Sequence, residues 1–119
     1  MPINSREKGA KGERELAKVL QEYGYTEAKR GQQFCGANGN ADVIDALPHI
    51  HIECKRVEKL NLYNAMEQAK SDTKGKLPAV FHRKNRSKWL VTMELTDFMQ
   101  IYKAFELERK NNDEKTICN

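Results

Sequence analysis

The sequence predicts an α/β domain in which helices and short strands follow one another along the chain. The chain of 119 residues is long enough for one hydrophobic core and too short for two. Its composition, 39% hydrophobic and 32% charged, is typical of a globular protein. The apolar pattern predicts the order helix, strand, hairpin, helix, strand, strand, helix, and we treat residues 1–119 as one domain.

The first predicted helix covers residues 11–23, where apolar side chains recur at helical spacing before Gly24. The chain before it shows little periodicity, and we expect residues 1–8 to be flexible. Residues 25–30 predict a strand of modest quality. Residues 31–40 contain three glycines and four Asn or Gln residues, so we expect a flexible loop over the functional site.

A hairpin is predicted where the β-forming pair Val43-Ile44 and the run after residue 49 flank the turn Pro48-His49. Side chains two residues apart share one face of a strand, so Glu53 and Lys55 point the same way. If the turn pairs the two strands, Asp42 at the start of the first lies close to Glu53 on the second.

The rest of the chain predicts two more helices and a second hairpin. Apolar residues of the second helix recur at i, i+3, i+4 and i+7. The predicted parts are a helix over 62–70, a strand over 78–82, a basic turn over 83–88, a strand over 89–93, a last helix from a cap at Thr96 or Asp97 to about Glu108, and a flexible end over 110–119.

Asp42 and Glu53 would form a pair of carboxylates in a partly buried place. Two such groups repel each other, and a divalent cation bound by their oxygens relieves the repulsion. Lys55 would face the same pocket, where it could hold a water or stabilise developing negative charge. The structural alternative is a solvated hairpin edge, which the hairpin alone leaves open.

This pattern resembles the PD-(D/E)xK nuclease superfamily at the residues that define it. The matching residues are Asn40-Ala41-Asp42 and Glu53-Cys54-Lys55, with Ala41 where the family name places proline. The order of predicted elements matches the same superfamily over roughly residues 8–105. The resemblance implies a restriction-endonuclease-like core, a central mixed β-sheet flanked by helices.

The segment Lys11-Gly12-Glu13-Arg14-Glu15-Leu16 resembles the opening of Holliday junction resolvases of the Hjc type. In that family the gap between the glycine and the first glutamate is usually longer. The resemblance implies that Glu13 is a third metal-site carboxylate, that Arg14 contacts phosphate, and that Arg30 lies near the scissile phosphate. Without it, Glu13 is a first-turn residue favoured by the helix dipole, and Arg30 is a solvated strand end.

The superfamily resemblance also implies a cofactor and its ligands. Mg²⁺, for which Mn²⁺ would substitute, would be held by Asp42, Glu53, Glu13 and the main-chain carbonyl of Cys54. Lys55 would act as the catalytic lysine beside Glu13, Asp42 and Glu53. Gln68 on the second helix is a candidate for site support, although a surface glutamine is the simpler interpretation.

The formal charge of +4 favours a polyanionic partner, and the basic residues gather in clusters. Each cluster could equally be a solvated face or turn. The candidate DNA contacts are Lys11, Arg14, Lys29, Arg30, Arg83 and Arg86.

The sequence therefore predicts a metal-dependent, structure-selective DNA endonuclease, with a Holliday junction resolvase that cuts four-way junctions as the leading hypothesis. A chain of this length leaves little room for a separate recognition domain, which favours readout of DNA shape. The alternatives are a restriction-type, nicking or repair nuclease on the same fold, and a non-catalytic DNA-binding module.

We expect a homodimer, because a junction needs two cuts and the chain carries one candidate site. Apolar residues for an interface occur on the second helix, Leu62 and Met66, and on the last helix, Phe98, Tyr102 and Phe105. The three cysteines, without C-x-x-C spacing, predict free thiols, with Cys54 buried. No membrane span or signal sequence is predicted, so we expect the cytoplasm, that of the host if the protein is phage-encoded.

Overall fold

Three helices and a five-stranded sheet make up the protein in a computed structural model that describes residues 5–31, 41–71 and 73–117. The second helix covers the residues that the apolar periodicity predicts. The elements are α1 Ser5–Glu22, β1 Lys29–Arg30, β2 Val43–Ile44, β3 Ile50–Arg56, α2 Leu62–Lys70, β4 Leu77–Arg83, β5 Leu90–Thr92 and α3 Leu95–Ile117.

The strands follow the order β1-β2-β3-β4-β5 across the sheet. Neighbours are antiparallel except for β3 and β4, which run parallel because the chain returns through α2 between them. The predicted hairpin forms, with Val43 opposite Ile52. This mixed sheet flanked by helices confirms the predicted α/β fold with a restriction-endonuclease-like core.

The core lies on both faces of the two central strands. On one face, Leu16 and Leu20 of α1 pack with Ile52 of β3 and Phe81 of β4. On the other face, Ala65, Met66 and Ala69 of α2 pack against Val80. Side chains alternate along β3, so Ile52 faces α1, whereas Glu53 and Lys55 point to the other side of the strand.

Helix α1 begins at Ser5, so the prediction that helix starts only at residue 11 is wrong. The first turns of α1 lie beside the functional cleft rather than over the core, and they therefore carry no apolar stripe from which a helix could be recognised. The prediction for β1 is also too long. Tyr25 and Ala28 are joined by a turn hydrogen bond, which leaves only two residues in the strand.

Helix α3 begins at Leu95 and runs to Ile117, past the predicted end near Glu108. Thr96 and Asp97 lie inside its first turn and are not its caps. Residues 108–114 of α3 are polar and exposed, so they show no apolar period that would predict a helix. The flexibility of residues 1–8 and 110–119 stays a prediction.

Most of the predicted loop over 31–40 lies outside the described residues. The predicted free thiols Cys35 and Cys118 also lie outside them. Cys54 is buried and free, as predicted. Within the described ranges, no helix is both long and apolar enough to span a membrane.

Candidate active site

Asp42 is held at the start of β2 by three backbone-anchored hydrogen bonds. Its own N–H donates to the carbonyl of Ile52, and its carbonyl accepts from Gly31 N–H, at 2.9 Å each. Its side-chain Oδ2 accepts a hydrogen bond of 2.8 Å from the backbone N–H of Cys54. The carboxylate is only 6% exposed, so its position is fixed by the sheet rather than by solvent.

Glu53 and Lys55 lie two residues apart on β3 and form an ion pair, with Lys55 Nζ 3.6 Å from Glu53 Oε1. The Glu53 side chain is 14% exposed. Burial, reinforced by the negative charge of Asp42, raises the pKa of Glu53 to about 7, while Lys55 opposes the shift. Glu53 is therefore partly protonated near neutral pH.

Glu13 reaches the same place from α1. It is 8% exposed, and Arg30 Nε lies 2.6 Å from its Oε2. Burial raises the pKa of Glu13, an effect that the hydrogen bond from Arg30 opposes and the charge of Asp42 reinforces. Helix α1 and strand β1 thus place an ion pair of one acidic and one basic side chain, Glu13 and Arg30, at the edge of the site.

The four predicted catalytic residues line a single cleft of about 340 Å³ between the start of α1 and the end of β3. Its walls also include two residues of the first turns of α1. The lining residues are Lys8, Gly9, Glu13, Asp42, Glu53, Cys54, Lys55, Arg56 and Val57.

The carboxylates share the cleft without forming a closed coordination shell. In the described ranges, no three His, Cys, Asp or Glu side chains are arranged to hold a metal ion. Two of the candidate ligands are turned toward cations of the chain itself, Glu13 toward Arg30 and Glu53 toward Lys55. The donor chemistry nevertheless suits a hard divalent cation, because acidic oxygens share a partly buried place. Burial, reinforced by the charge of Asp42, raises the pKa of both Glu13 and Glu53.

The chain matches the family described as "Phage putative PDDEXK endonuclease" over residues 4–118. It belongs to this endonuclease family. No curated protein and no solved structure matches the chain. The PD-(D/E)xK resemblance is thereby confirmed at the level of the family, whereas the closer likeness to Hjc-type resolvases stays a prediction.

In this endonuclease the motif residues occupy the positions that the hairpin predicts. Asp42 directly precedes β2 and Glu53 lies on the neighbouring β3, and the backbone N–H of Cys54, next to Glu53, donates to the Asp42 side chain. Burial raises the pKa of the Cys54 thiol, which stays protonated and acts as a small apolar side chain. A role for its carbonyl as a ligand stays a prediction.

Two predicted site residues lie apart from the cleft or are engaged elsewhere. Gln68 is exposed on α2 and is not among the residues that line the cleft. Arg83 donates from Nε to Glu15 and from Nη1 to the carbonyl of Ser87, and it lies over the ring of Trp89. Its guanidinium therefore ties β4 to α1.

The other predicted DNA contacts divide between the cleft and the surface. Arg30 is at the cleft edge with Glu13, and Lys29 lies 3.5 Å from Asp45 with both side chains exposed. Lys11, Arg14 and Arg86 are exposed. Arg86 adopts a positive φ of 60° at the tip of the turn between β4 and β5.

A polar cluster centred on Arg56, which lines one end of the cleft, was not predicted from the sequence. Arg56 follows the motif lysine, and its guanidinium lies 3.6 Å from both Glu15 and Glu58. It also donates 2.8 Å to Asn85, whose N–H in turn donates 2.7 Å to Glu58. This cluster joins α1, the end of β3 and the β4–β5 turn, and only the tertiary fold brings these distant residues together.

Two glycines allow the close approaches on which the site depends. A Cβ on Gly12 would lie 2.5 Å from Arg56 Cβ, so α1 can cross the end of β3 only without a side chain there. A Cβ on Gly31 would lie 2.0 Å from the carbonyl oxygen of Ala41. Gly12 stands in the Lys-Gly-Glu segment that the sequence analysis singled out, and the structure supplies a packing reason for it.

Proposed function

We propose that the protein is a metal-dependent endodeoxyribonuclease that cuts branched DNA, most simply a four-way junction. The observation that carries the proposal is the convergence of Glu13, Asp42, Glu53 and Lys55 in one open cleft. Three acids beside one lysine are the groups that phosphodiester hydrolysis with a divalent metal requires. Membership of an endonuclease family supports the same reaction class.

The ion we propose is Mg²⁺, with Mn²⁺ able to substitute. Asp42 and Glu53 would hold it, with Glu13 and the Cys54 carbonyl in support. When bound, such an ion polarises the phosphate and lowers the pKa of a coordinated water. Glu13 could offer the ion its second oxygen, Oε1, while Oε2 keeps its hydrogen bond to Arg30.

The chain's own residues would then divide the remaining work. Lys55, 28% exposed and anchored to Glu53, is placed to orient a water or to neutralise charge that develops on the phosphate. Arg30 at the cleft edge would hold a phosphate oxygen through its Nη groups while its Nε keeps the hydrogen bond to Glu13. Asp42, held by backbone hydrogen bonds, provides the fixed point of the arrangement.

A basic surface beside the cleft supports DNA as the substrate. Strands β3 and β4 are parallel with Arg56 level with Arg83, so the β4–β5 turn lies at the same end of the sheet as Lys55. That turn carries three exposed cations, and exposed cations of α1 flank the cleft on the other side. They are Lys84, Arg86 and Lys88 on the turn, and Lys8, Lys11 and Arg14 on α1.

The preference for branched DNA rests on the likeness of the Lys11–Leu16 segment to Hjc-type resolvases. A four-way junction has approximate two-fold symmetry and is resolved by two cuts, whereas one chain carries one cleft. We therefore propose that the protein acts as a homodimer with two equivalent sites.

A cleavage panel tests this function. The purified chain is incubated with Mg²⁺ and labelled four-way junction, flap, fork and linear duplex, beside Glu53→Gln and a control, Glu67→Gln on the exposed face of α2. We expect the wild type and the control to cut the junction fastest, and Glu53→Gln to cut nothing. If another DNA of the panel were cut faster, that DNA rather than the four-way junction would be the preferred substrate. No metal-dependent cutting of any DNA would refute the nuclease proposal.

A further inference from the structure

Helix α3 is 23 residues long, and it is exposed over most of the length whose side chains the structure describes. Every described side chain from Phe98 to Glu114 is exposed. A helix of this length is about 35 Å long, and the whole molecule measures 64 × 28 × 27 Å. The helix therefore extends away from the sheet and the other two helices rather than covering them.

The exposed face of α3 carries a continuous apolar ridge, which we define as Leu95, Phe98, Tyr102 and Phe105. Their exposed fractions are 72%, 47%, 42% and 57%. The rings of Phe98 and Tyr102 lie 6.1 Å apart between centroids, and those of Tyr102 and Phe105 lie 6.3 Å apart. The three aromatic side chains thus stack along one side of the helix.

The spacing of the ridge suits another helix. Its residues are separated by three, four and three positions, the alternation by which a helix presents an a/d seam to a partner helix. Met99 and Ile101, 36% and 41% exposed, flank the seam on either side. Seams of this kind pack by inserting each side chain between residues of the facing helix.

The charge of α3 argues against DNA or a membrane as the partner. The helix carries four basic and five acidic residues, although the chain as a whole is basic. A phosphate-binding or membrane-surface helix would concentrate Lys and Arg on its polar face. A mixed and slightly acidic surface around an aromatic ridge is instead typical of a helix that packs against protein.

We infer that the ridge of α3 is a homodimer interface that packs against the same ridge of a second copy of this chain. Aromatic side chains bury about 150–250 Å² each, so half-exposed ones leave roughly 100 Å² to cover. The ridge and its two flanking residues amount to roughly 600 Å² per chain. A symmetric pair would then bury about 1,200 Å², the lower end of the range for stable interfaces.

The two-fold symmetry explains why one surface can serve both chains, since an isologous contact covers each ridge with an identical one. The alternative helix α2 is already used within the chain. Met66 is 7% exposed and packs on Val80, and Leu62 packs against the same cluster. The apolar stripe of α2 is therefore covered within the chain, although Tyr63 beside it is 87% exposed. By contrast, all four ridge residues of α3 are exposed.

Sedimentation of the full chain tests the interface. At tens of micromolar we expect a mass of about twice 13.7 kDa for the wild type. Tyr102→Glu places a charge in the middle of the ridge, and we expect it to raise the dissociation constant at least ten-fold. The matched control is Leu107→Glu, because Leu107 is 60% exposed on the side of α3 opposite the ridge, and we expect it to leave the mass unchanged.

Both variants change exposed positions outside the core. Dispersed methyl signals from Val80 and Ile52 in nuclear magnetic resonance spectra check that the core is intact in each. A monomeric wild type would overturn the inference, as would a dimer that tolerates Tyr102→Glu. In the latter case the exposed edge strand β5, with Leu90 and Val91, would be the next surface to test. Dissociation by both variants would also overturn it, since the ridge would then have no special role. The readout is mass, so these outcomes are independent of whether the chain cuts DNA.

Discussion

The backbone N–H of Cys54 donates a 2.8 Å hydrogen bond to Oδ2 of Asp42. The bond joins the two strands of the motif at the residue between Glu53 and Lys55. It orients the Asp42 carboxylate through the sheet itself, so the aspartate does not depend on a metal ion for its position. Substitutions in the motif can therefore separate chemistry from folding.

Replacing Asp42 by Asn should abolish cleavage and leave DNA binding within about two-fold of the wild type. Asparagine keeps an oxygen that can accept the bond from Cys54 N–H, but it removes the negative charge that we propose for the metal. Single-turnover cleavage and binding of a labelled junction in Ca²⁺ would be measured side by side. An Asp42→Asn protein that cuts at the wild-type rate would remove this residue from the mechanism.

Glu53 should make the stability of the metal-free protein depend on pH. Its pKa is about 7 in the folded chain and 4.5 in the unfolded one, so between these values the folded state binds more protons. The free energy of unfolding then falls as pH rises from about 4.5 to about 7, and the loss persists at higher pH. Glu53→Gln removes this loss.

The glutamine variant should therefore match the wild type at pH 4 and exceed it by about 1–3 kcal/mol above pH 7.5. Urea unfolding in EDTA across that range measures the difference. Glu67→Gln, at a side chain 72% exposed, is the control and should show no such trend. A difference in unfolding free energy between Glu53→Gln and the wild type that does not change with pH would contradict a raised pKa at Glu53.

The two arginines at the cleft edge and at the turn tip should differ in effect. Arg30 lies against Glu13 inside the site, so Arg30→Ala should lower the cleavage rate far more than the affinity for DNA. Arg86 is exposed at the tip of the basic turn, so Arg86→Ala should weaken binding and reduce its salt slope by about one unit.

Binding titrations at several salt concentrations and single-turnover rates would be compared, with Lys18→Ala on α1 as the control for loss of one exposed charge. If Arg30→Ala and Arg86→Ala changed rate and affinity in the same proportion, their proposed roles would be wrong.

Local patterns predicted the parts of the fold that cover the core. Helix α2 was predicted to the residue, because its apolar residues at i, i+3, i+4 and i+7 face Val80 and its neighbours. The hairpin followed from alternation and a turn at Pro48-His49. The first turns of α1 and the last turns of α3 were missed, because neither segment covers the core and neither carries an apolar stripe.

The candidate site likewise combines residues that local patterns predict with contacts that only the tertiary fold creates. Glu53 and Lys55 could be paired from their spacing on one strand, and Asp42 from the hairpin. By contrast, Arg83 contacts Glu15, which is 68 positions away in the sequence. The periodicity of apolar residues along one segment cannot predict such a contact. The sequence therefore shows no sign that the guanidinium of Arg83 contacts α1, and its contact with DNA stays a prediction.

The crossing of α1 over β3 at Gly12 gives the last prediction. A methyl group there would lie 2.5 Å from Arg56 Cβ, an atom too near the backbone to move aside easily. Helix α1 would have to shift, and with it Glu13. Overpacking of this kind costs about 1–3 kcal/mol, more than the ~1 kcal/mol that alanine gains over glycine within a helix. Gly12→Ala should therefore lower the melting temperature and slow cleavage.

Gly9→Ala is the matched control, because it lies one turn earlier in the same helix and a Cβ there meets no atom within 4 Å. With no clash to offset the gain in helix propensity, its melting temperature should stay equal or rise. Opposite shifts from the two glycines would show that α1 is held at its crossing with Arg56. If Gly12→Ala were as stable as Gly9→Ala, the close approach would not constrain the helix, and Glu13 would owe its place in the cleft to Arg30 alone.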